Sequence, residues 1–370
     1  MKQSPLVNIF VSSIGQNVGK TTISLGLYKA FQAKGIRITF MKPVGQEFVN
    51  VHGLPVDKDS YLISHVYHVH KNLKDMSPVT IGRGFTEQYI ANPKSHQLKN
   101  LIEESFQRLI KNKNAIIVEG TGHAGVGSVI DLSNADVAQL LGSKVIIVTE
   151  GGIGRSLDEV MLNKALFDLK GVEVLGVIVN KVLPEKYTKI KNVLGQALKA
   201  KGIDLLGVIP LQPLLIAPTV QQIRERLNLT ALCGEKYISN RVRHTIVAAM
   251  EPHHMIHYLK EKTLVLTSGD RVDNILVAVS SHLVSRGQTD MISGIILTGS
   301  LTPSVKIIEL LKKTKIPVLM TEDDTYTFAA KVEHLICKIQ ESDKDKIKEA
   351  TRLVKKYVGV EKILKTFFKK

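Results

Sequence analysis

Short runs of β-branched residues alternate with longer amphipathic segments up to about residue 210 of the chain. Runs that are apolar at every position predict strands buried on both faces, and apolar residues at helical spacing predict helices. The predicted strands span residues 7–11, 36–41, 115–118, 144–149, 174–179 and 205–209, and the predicted helices span 21–34, 98–110, 135–141, 156–170 and 184–201. This alternation favours an α/β fold with a mostly parallel sheet covered by helices on both faces.

Three prolines at positions 210, 213 and 218 interrupt this pattern and predict a domain boundary near residue 215. Beyond the boundary, helices and strands alternate again on a smaller scale. We therefore predict a first α/β domain over residues 1–215, a smaller α/β domain over 216–340, and a basic amphipathic C-terminal helix over 341–370. The last segment carries ten Lys or Arg residues and five Asp or Glu residues, with its apolar residues at helical spacing.

The chain carries 50 Lys and Arg residues against 34 Asp and Glu residues, which gives a formal charge of +16. No basic stripe with interleaved aromatic residues is present, and aromatics make up only 5% of the residues, so we expect no dedicated nucleic-acid site. No apolar stretch approaches the roughly 18 residues that a membrane-spanning helix needs. The start of the chain lacks the pattern of a secretory signal and the two cysteines are far apart, which favours a cytoplasmic protein with reduced thiols.

A glycine-containing loop with the sequence Ser-Ile-Gly-Gln-Asn-Val-Gly-Lys-Thr-Thr lies at residues 13–22, between the first strand and the first helix. In this context the backbone N–H groups of a loop and of a helix N-terminus bind phosphate groups. We expect Lys20 to reach the β- and γ-phosphates and the Thr21 hydroxyl to join a Mg²⁺ shell. The residues expected to contact the nucleotide are Gly15, Asn17, Val18, Gly19, Lys20, Thr21 and Thr22. The loop predicts a P-loop NTPase-like domain, although Ile14 replaces the first glycine of the usual pattern.

Further polar residues follow other predicted strands and are expected at the same edge of the sheet. Lys42 follows the second strand, where its ammonium could face the phosphates or an acidic substrate. Asp57 and Asp59 come next in a polar segment, where either could bind Mg²⁺ or lie in a solvated turn. Glu119 ends the strand at 115–118 and could complete the metal shell. Asn180 ends a later strand and could read a purine edge, and adenine is favoured because the Asp of a guanine-reading sequence is absent.

Taken together, residues 5–215 resemble the dethiobiotin synthetase family of P-loop proteins. The resemblance rests on a loop one residue longer than usual, on the Lys-Pro pair at 42–43, and on the Glu-Gly-x-Gly turn at 119–122. It implies a catalytic role in phosphoryl transfer for Lys20 and Lys42, magnesium binding by Thr21, Asp59 and Glu119, and adenine binding by Asn180. Three features depart from the family: Ser13 and Gly15 replace its Gly and Asp, Gln46 replaces a substrate-binding hydroxyl residue, and its substrate-binding segment has no counterpart here.

Residues 42–46, 77–79 and 86–89 resemble the dethiobiotin-synthetase-like N-terminal module of long bacterial phosphate acetyltransferases. Residues 269–273 and 294–299 resemble the DRTGG domain that follows this module. The resemblance holds in order and spacing to about residue 340. The acetyltransferase catalytic domain would need roughly 300 further residues, a domain-size estimate, so we do not expect phosphate acetyltransferase activity from this chain.

Three functions are compatible with the sequence. The first is an ATP- and Mg²⁺-binding regulatory or sensing protein, in which the DRTGG-like domain reports or receives the signal. The second is an ATP-dependent ligase of dethiobiotin synthetase type that acts on a small carboxylate, and the third is a non-catalytic interaction module with a degenerate nucleotide site. Gln46 argues against the ligase, and Lys20 argues against a degenerate site. The expected partners are a nucleotide, a small carboxylate or regulatory metabolite, and a second copy of the chain, because relatives of the first domain are often dimers.

Overall fold

The computed structural model describes residues 5–69, 72–285 and 291–368. Over these residues the chain forms two compact units. The first unit contains Met1–Gln212 together with Ile339–Lys370, and the second contains Pro213–Lys338. The chain therefore leaves the first unit, forms the second, and returns to complete the first.

A parallel sheet forms the centre of the first unit. The strands described in this unit are β1 (Val7–Ser13), β2 (Ile38–Met41), β3 (Val44–Gly45), β4 (Phe48–Val51), β5 (Leu54–Asp57), β6 (Val79–Thr80), β7 (Ala115–Glu119), β8 (Lys144–Glu150), β9 (Val174–Val182) and β10 (Leu205–Pro210). Six of them form the central sheet in the order β10-β9-β8-β1-β7-β2, and each neighbouring pair is parallel. Every position of β1 and β7 is buried, so both faces of the sheet are covered. The predicted α/β fold is confirmed.

Helices connect these strands. They are α1 (Lys20–Gln32), α2 (Lys58–Tyr67), α3 (Leu73–Met76), α4 (Phe85–Ala91), α5 (Ser95–Ile110), α6 (Asn134–Leu140), α7 (Gly154–Leu169) and α8 (Tyr187–Ala200). Helix α2 begins inside the polar segment in which the sequence predicts no helix. The reason is local, because the Asp57 side chain accepts a hydrogen bond from the Asp59 N–H and so caps the helix N-terminus. No helix among the described residues is long and apolar enough to cross a membrane.

The second unit is built on a five-stranded sheet. Its strands are β11 (Thr230–Cys233), β12 (His244–Val247), β13 (Thr263–Ser268), β14 (Ile292–Thr298) and β15 (Val318–Met320), and its helices are α9 (Pro213–Ile216), α10 (Val220–Leu227), α11 (Pro252–Met255), α12 (Val272–Val284), α13 (Val305–Lys312) and α14 (Thr325–Glu333). The order is β11-β15-β14-β13-β12, with β12 to β15 parallel and β11 antiparallel at the edge. Val265 packs in one apolar cluster with Ile275, whereas its neighbour Leu264 packs in another with Phe328. Successive strand residues thus face two separate cores.

The last segment of the chain forms two helices, α15 (Lys344–Tyr357) and α16 (Val360–Phe368), where the sequence predicts one. The break occurs because the backbone joins the edge of the central sheet. Val358 is extended and forms an antiparallel bridge with Gly207, and the Gly359 N–H donates to the Leu206 carbonyl at 2.8 Å. The pair of helices is therefore anchored on β10.

Helix α15 packs directly against α1, the helix that follows the glycine-containing loop. Gly26 lies in the middle of α1, and a Cβ at this position would overlap the side chain of Val354 on α15. The absence of a side chain at Gly26 is what lets the two helices approach so closely. Lys34, which lies just after α1, forms an ion pair with Glu361 of α16 and so adds a second contact with the C-terminal segment.

We expect Gly26→Ala to destabilise the first unit. In an exposed helix this change stabilises by about 1 kcal/mol, but here the added methyl overlaps Val354, and overpacking costs about 1–3 kcal/mol. Urea denaturation of the full chain should therefore show a loss of stability for Gly26→Ala. Gly154→Ala serves as the control, because no atom would lie within 4 Å of its Cβ.

The double variant Gly26→Ala/Val354→Ala should be more stable than the sum of the two single changes predicts, because Val354→Ala makes room for the new methyl group. An increase in stability for Gly26→Ala alone would show that α15 does not constrain α1 in this way.

Candidate functional site

The loop between β1 and α1 is held in a conformation that only a few residues tolerate. Gly19 immediately precedes α1 with a φ of 109°, and Asn17 has a φ of 58°, so both lie at positive φ. A Cβ at Gly19 would also overlap the side-chain amide of Asn180. Gly19 is therefore required both for the backbone turn and for the close approach of a neighbouring strand.

Lys20 lies along this loop rather than in solvent. Its Nζ donates to Ser13 Oγ at 2.8 Å and to the Gly15 carbonyl at 3.3 Å, and the residue is buried. Ser13 Oγ is also 3.1 Å from the Gly122 carbonyl. The ammonium thus lies inside the loop, and Ser13 joins the loop to the turn that follows β7.

A cluster of charged side chains lies next to the loop. Lys42 follows β2, Asp59 lies in the first turn of α2, and Glu119 is the last residue of β7. Lys42 Nζ lies 2.7 Å from Asp59 Oδ2 and 3.3 Å from Glu119 Oε1. The Thr21 hydroxyl lies 2.9 Å from Glu119 Oε1 and 3.1 Å from Asp59 Oδ1. The structure therefore brings together four residues that the sequence predicts for one site.

The charges in this cluster depend on one another. Burial by itself would lower the pKa of Lys42, but the carboxylates of Asp59, Glu119 and Asp57 outweigh it and raise the pKa of Lys42 above its ordinary value. Lys42 therefore stays protonated throughout the neutral range. Asp57 lies close enough to act on Lys42, but its Oδ1 accepts the Asp59 N–H at 2.8 Å. Of the two predicted aspartates, Asp59 is the one whose carboxylate contacts Thr21 and Lys42.

Glu119 has one buried oxygen that the described residues leave unsatisfied. Its Oε2 is buried and has no hydrogen-bond partner among the described residues, although buried polar atoms are nearly always satisfied. Two carboxylates and a hydroxyl suit Mg²⁺, which uses one or two carboxylates together with phosphate oxygens and water. Across residues 5–69, 72–285 and 291–368, no three His, Cys, Asp or Glu side chains could hold a metal by themselves. The residues fit a magnesium ion that is shared with a phosphate ligand.

Two side chains at the end of β9 donate hydrogen bonds to backbone carbonyls of the loop. Asn180 Nδ2 donates to the Val18 carbonyl at 2.9 Å. Lys181 Nζ donates to the Asn17 carbonyl at 2.6 Å and pairs with Glu150 Oε1 at 2.7 Å. The amide nitrogen of Asn180, which the sequence predicts to read a purine, is therefore bonded to the loop. Sequence reasoning missed Lys181 and Glu150, although both lie at the carboxyl ends of predicted strands.

These features define the class of the protein. A glycine-containing loop that joins a central strand of a parallel sheet to a helix beginning with Lys-Thr makes it a P-loop NTPase-like protein. Residues 7–219 match the family model described as an AAA domain, and the chain belongs to that family. Residues 222–335 match the model of the DRTGG domain.

The curated relatives include several phosphate acetyltransferases. The enzyme of Synechocystis sp. is 27% identical over 366 residues, which is 96% of this chain and 51% of that protein. The enzyme of Pseudomonas putida is 27% identical over 360 residues, which is 93% of this chain and 50% of that protein. The chain thus spans about half the length of these relatives. The predicted resemblance to phosphate acetyltransferases with a DRTGG domain is confirmed.

Solved structures give weaker matches. A plasmid partition protein from Borrelia burgdorferi bound to AMPPNP is 15% identical, with a TM-score of 0.37, over 57% of this chain and 88% of that chain. The CBS and DRTGG domains of the regulatory region of Clostridium perfringens pyrophosphatase, complexed with diadenosine tetraphosphate, are 19% identical, with a TM-score of 0.27, over 53% of this chain and 78% of that chain.

We expect Lys42→Met to destabilise the protein strongly, because it leaves the carboxylates of Asp59 and Glu119 buried without a cation. Removing one partner of a buried ion pair costs about 3–5 kcal/mol. Lys58→Met is the matched control, because Lys58 and Glu47 form a half-exposed pair that should contribute less than about 1 kcal/mol. Urea denaturation at pH 7 measures both changes.

The effect of Lys42→Met should depend on pH. With Met at position 42 the ammonium is absent at every pH, so the deficit at each pH reflects what the parent protein gains from Lys42. In the parent protein the raised pKa of Lys42 keeps its stabilisation intact below about pH 10. The deficit should therefore be equal at pH 7 and pH 9 and shrink above about pH 10. A deficit that already shrinks between pH 7 and pH 9 would mean that the two carboxylates do not hold the ammonium.

Proposed function

We propose that the first unit binds ATP together with Mg²⁺ and that the chain acts as a nucleotide-dependent regulatory protein. The observation that carries the proposal is the convergence of the Lys20 ammonium, the Thr21 hydroxyl and the Asp59 and Glu119 carboxylates at one edge of the central sheet. The Lys42 ammonium balances only one of the two carboxylate charges. A phosphate bound beside them needs a further cation, because like charges repel strongly at short range in a partly buried site. This arrangement is what a nucleotide–magnesium complex requires.

In this proposal the backbone N–H groups from Gly15 to Thr22 bind the phosphates, and Lys20 shifts from the Gly15 carbonyl to the phosphate oxygens. Thr21, Asp59 and Glu119 would hold the metal. Magnesium would neutralise the phosphate charge and give the buried Glu119 Oε2 a partner. Lys42 keeps the two carboxylates in position, since its ammonium contacts both.

The state of Lys42 favours regulation over the ligase alternative. A ligase acting on a small carboxylate needs a cation that can bind the substrate anion. The Lys42 ammonium is buried and already contacts two carboxylates, so a substrate carboxylate would have to displace one of them. We therefore expect nucleotide binding with little or no transfer of the γ-phosphate to a carboxylate.

Isothermal titration of the full chain with ATP, with and without Mg²⁺, tests the proposal. Lys20→Ala removes a charge-assisted contact of about 1.5–3 kcal/mol, so affinity should fall by roughly 10- to 150-fold. Lys29→Ala is the matched control on the same helix, because Lys29 is exposed and its ammonium donates to Gln32, away from the loop. Glu119→Gln should reduce the gain in affinity that Mg²⁺ provides while changing the metal-free affinity less.

Two results would contradict this proposal. Equal ATP affinity in the parent protein, Lys20→Ala and Lys29→Ala would place the nucleotide elsewhere or show that none binds. Phosphate release that a small carboxylate stimulates, measured in the same preparation, would favour the ligase.

We further propose that Asn180 positions the loop. Its amide nitrogen donates to the Val18 carbonyl, so Asn180→Ala should loosen the loop and weaken ATP and GTP binding by the same factor, roughly 5- to 15-fold for one buried hydrogen bond of about 1–1.5 kcal/mol. Lys181→Met, which removes the contact with Asn17, should likewise weaken both nucleotides equally. A loss for ATP alone in Asn180→Ala would assign this residue to adenine recognition instead.

A further inference from the structure

The second unit contains a surface concavity at the edge of its sheet, where strand β11 and the turn after it face the end of α13. Its volume is about 720 Å³. Lys236 and Tyr237 line one side, and Lys312, Lys313 and Thr314 line the other. We call this the basic concavity. It lies at the amino end of β15, since Cys233 at the end of β11 pairs with Val318, whereas ligands of parallel sheets usually bind at the carboxyl ends.

The basic concavity has an excess of positive charge. No hydrogen bond or ion pair connects the ammonium groups of Lys236, Lys312 and Lys313 to another described residue. Among the described residues that line the concavity, the one carboxylate is that of Glu235, and it lies 3.2 Å from Arg224 and is therefore already paired. Two of the lysines come from the end of a helix and the third from a separate turn. Three lysines from two elements line one concavity, and their like charges favour a bound anion.

The walls of the concavity are fixed by packing, so its shape does not depend on a ligand. Gly234 has a φ of 75°, and a Cβ there would overlap the Ile316 carbonyl, which holds the turn against the sheet. On the opposite wall, Thr314 Oγ1 donates to the Leu311 carbonyl at 2.7 Å and accepts the Ile316 N–H at 3.3 Å. Burial raises the pKa of the Cys233 thiol, and the charge of Lys312 opposes this rise. A preformed cavity of this kind is typical of small-molecule sites.

We propose that the basic concavity binds a small organic phosphate. The volume falls within the range of about 300–1,000 Å³ that small-molecule sites occupy. Three ammonium groups suit the two or more negative charges of a phosphate ester, and Tyr237 with the apolar side chains of β11 offers a surface for the organic part. The ligand would be separate from the nucleotide of the first unit, because every residue of the basic concavity belongs to the second unit.

Isothermal titration of the full chain with phenyl phosphate, compared with inorganic phosphate, tests this proposal without Mg²⁺ and at low ionic strength. We expect saturable binding of phenyl phosphate that Lys312→Glu/Lys313→Glu weakens by more than about tenfold, the loss of at least one charge-assisted contact. The matched control is Lys260→Glu/Lys306→Glu, which makes the same change of charge at two exposed positions of the same unit outside the concavity. Far-ultraviolet circular dichroism shows whether each variant remains folded.

The Lys20→Ala variant separates this site from the phosphate-binding loop. Binding in the basic concavity should persist in Lys20→Ala, whereas binding in the loop should not. The proposal is overturned by an isotherm that Lys312→Glu/Lys313→Glu leaves unchanged, by equal weakening in the control variant, or by no saturable binding of phenyl phosphate. Tighter binding of phenyl phosphate than of inorganic phosphate is expected for an organic ligand, and equal binding would restrict the site to a free anion and refute the organic part of the proposal.

Discussion

One ammonium and two carboxylates lie inside the first unit, where Lys42 contacts both Asp59 and Glu119. Removing such charges from water costs several kcal/mol for each ion, and only close pairing offsets this cost. The three side chains come from three different elements, the segment after β2, helix α2 and strand β7, and a fourth element contributes the Thr21 hydroxyl at the start of α1. None of these elements can shift without separating buried charges. The cluster therefore fixes the edge of the sheet at which the glycine-containing loop lies.

The segment that follows the second unit is part of the first. Its helix α15 packs on α1 at Gly26, and Gly359 bonds to the edge strand β10. The second unit is consequently connected to the first at both of its ends, at Gln212/Pro213 and at Lys338/Ile339. The segment after Lys338 thus supports the helix that carries Lys20 and Thr21.

The sequence predicts the central strands and α1 well, because long continuous apolar runs and helical periodicity each carry an unambiguous signal. It does not predict the segment between residues 42 and 95, where strands of two to four residues and the start of α2 depend on tertiary contacts. The grouping of Lys20, Thr21, Lys42 and Glu119 could be predicted because each follows or ends a strand of the central sheet whose carboxyl end faces the same edge. The choice of Asp59 over Asp57 could not, because both follow β5, which lies outside the central sheet. The contact between Asn180 and Val18 could not, since it depends on the strand order β9-β8-β1, which local sequence does not define.

The glycine-containing loop is held by two kinds of contact, a buried hydrogen bond and a partly exposed charged contact. The Asn180 amide is buried and bonds to Val18, so salt affects it little. The Lys181 ammonium is partly exposed and pairs with Glu150 as well as the Asn17 carbonyl, so ionic strength weakens it. Asn17 and Gly19 hold positive φ angles, a region that non-glycine residues such as Asn populate rarely, and both kinds of contact maintain this conformation of the loop. Because these conformations are fixed before a ligand binds, binding requires less ordering of the loop. A phosphate ligand of this loop should therefore bind most tightly at low salt, because its own charge is screened less and because the contact of Lys181 with the loop is stronger.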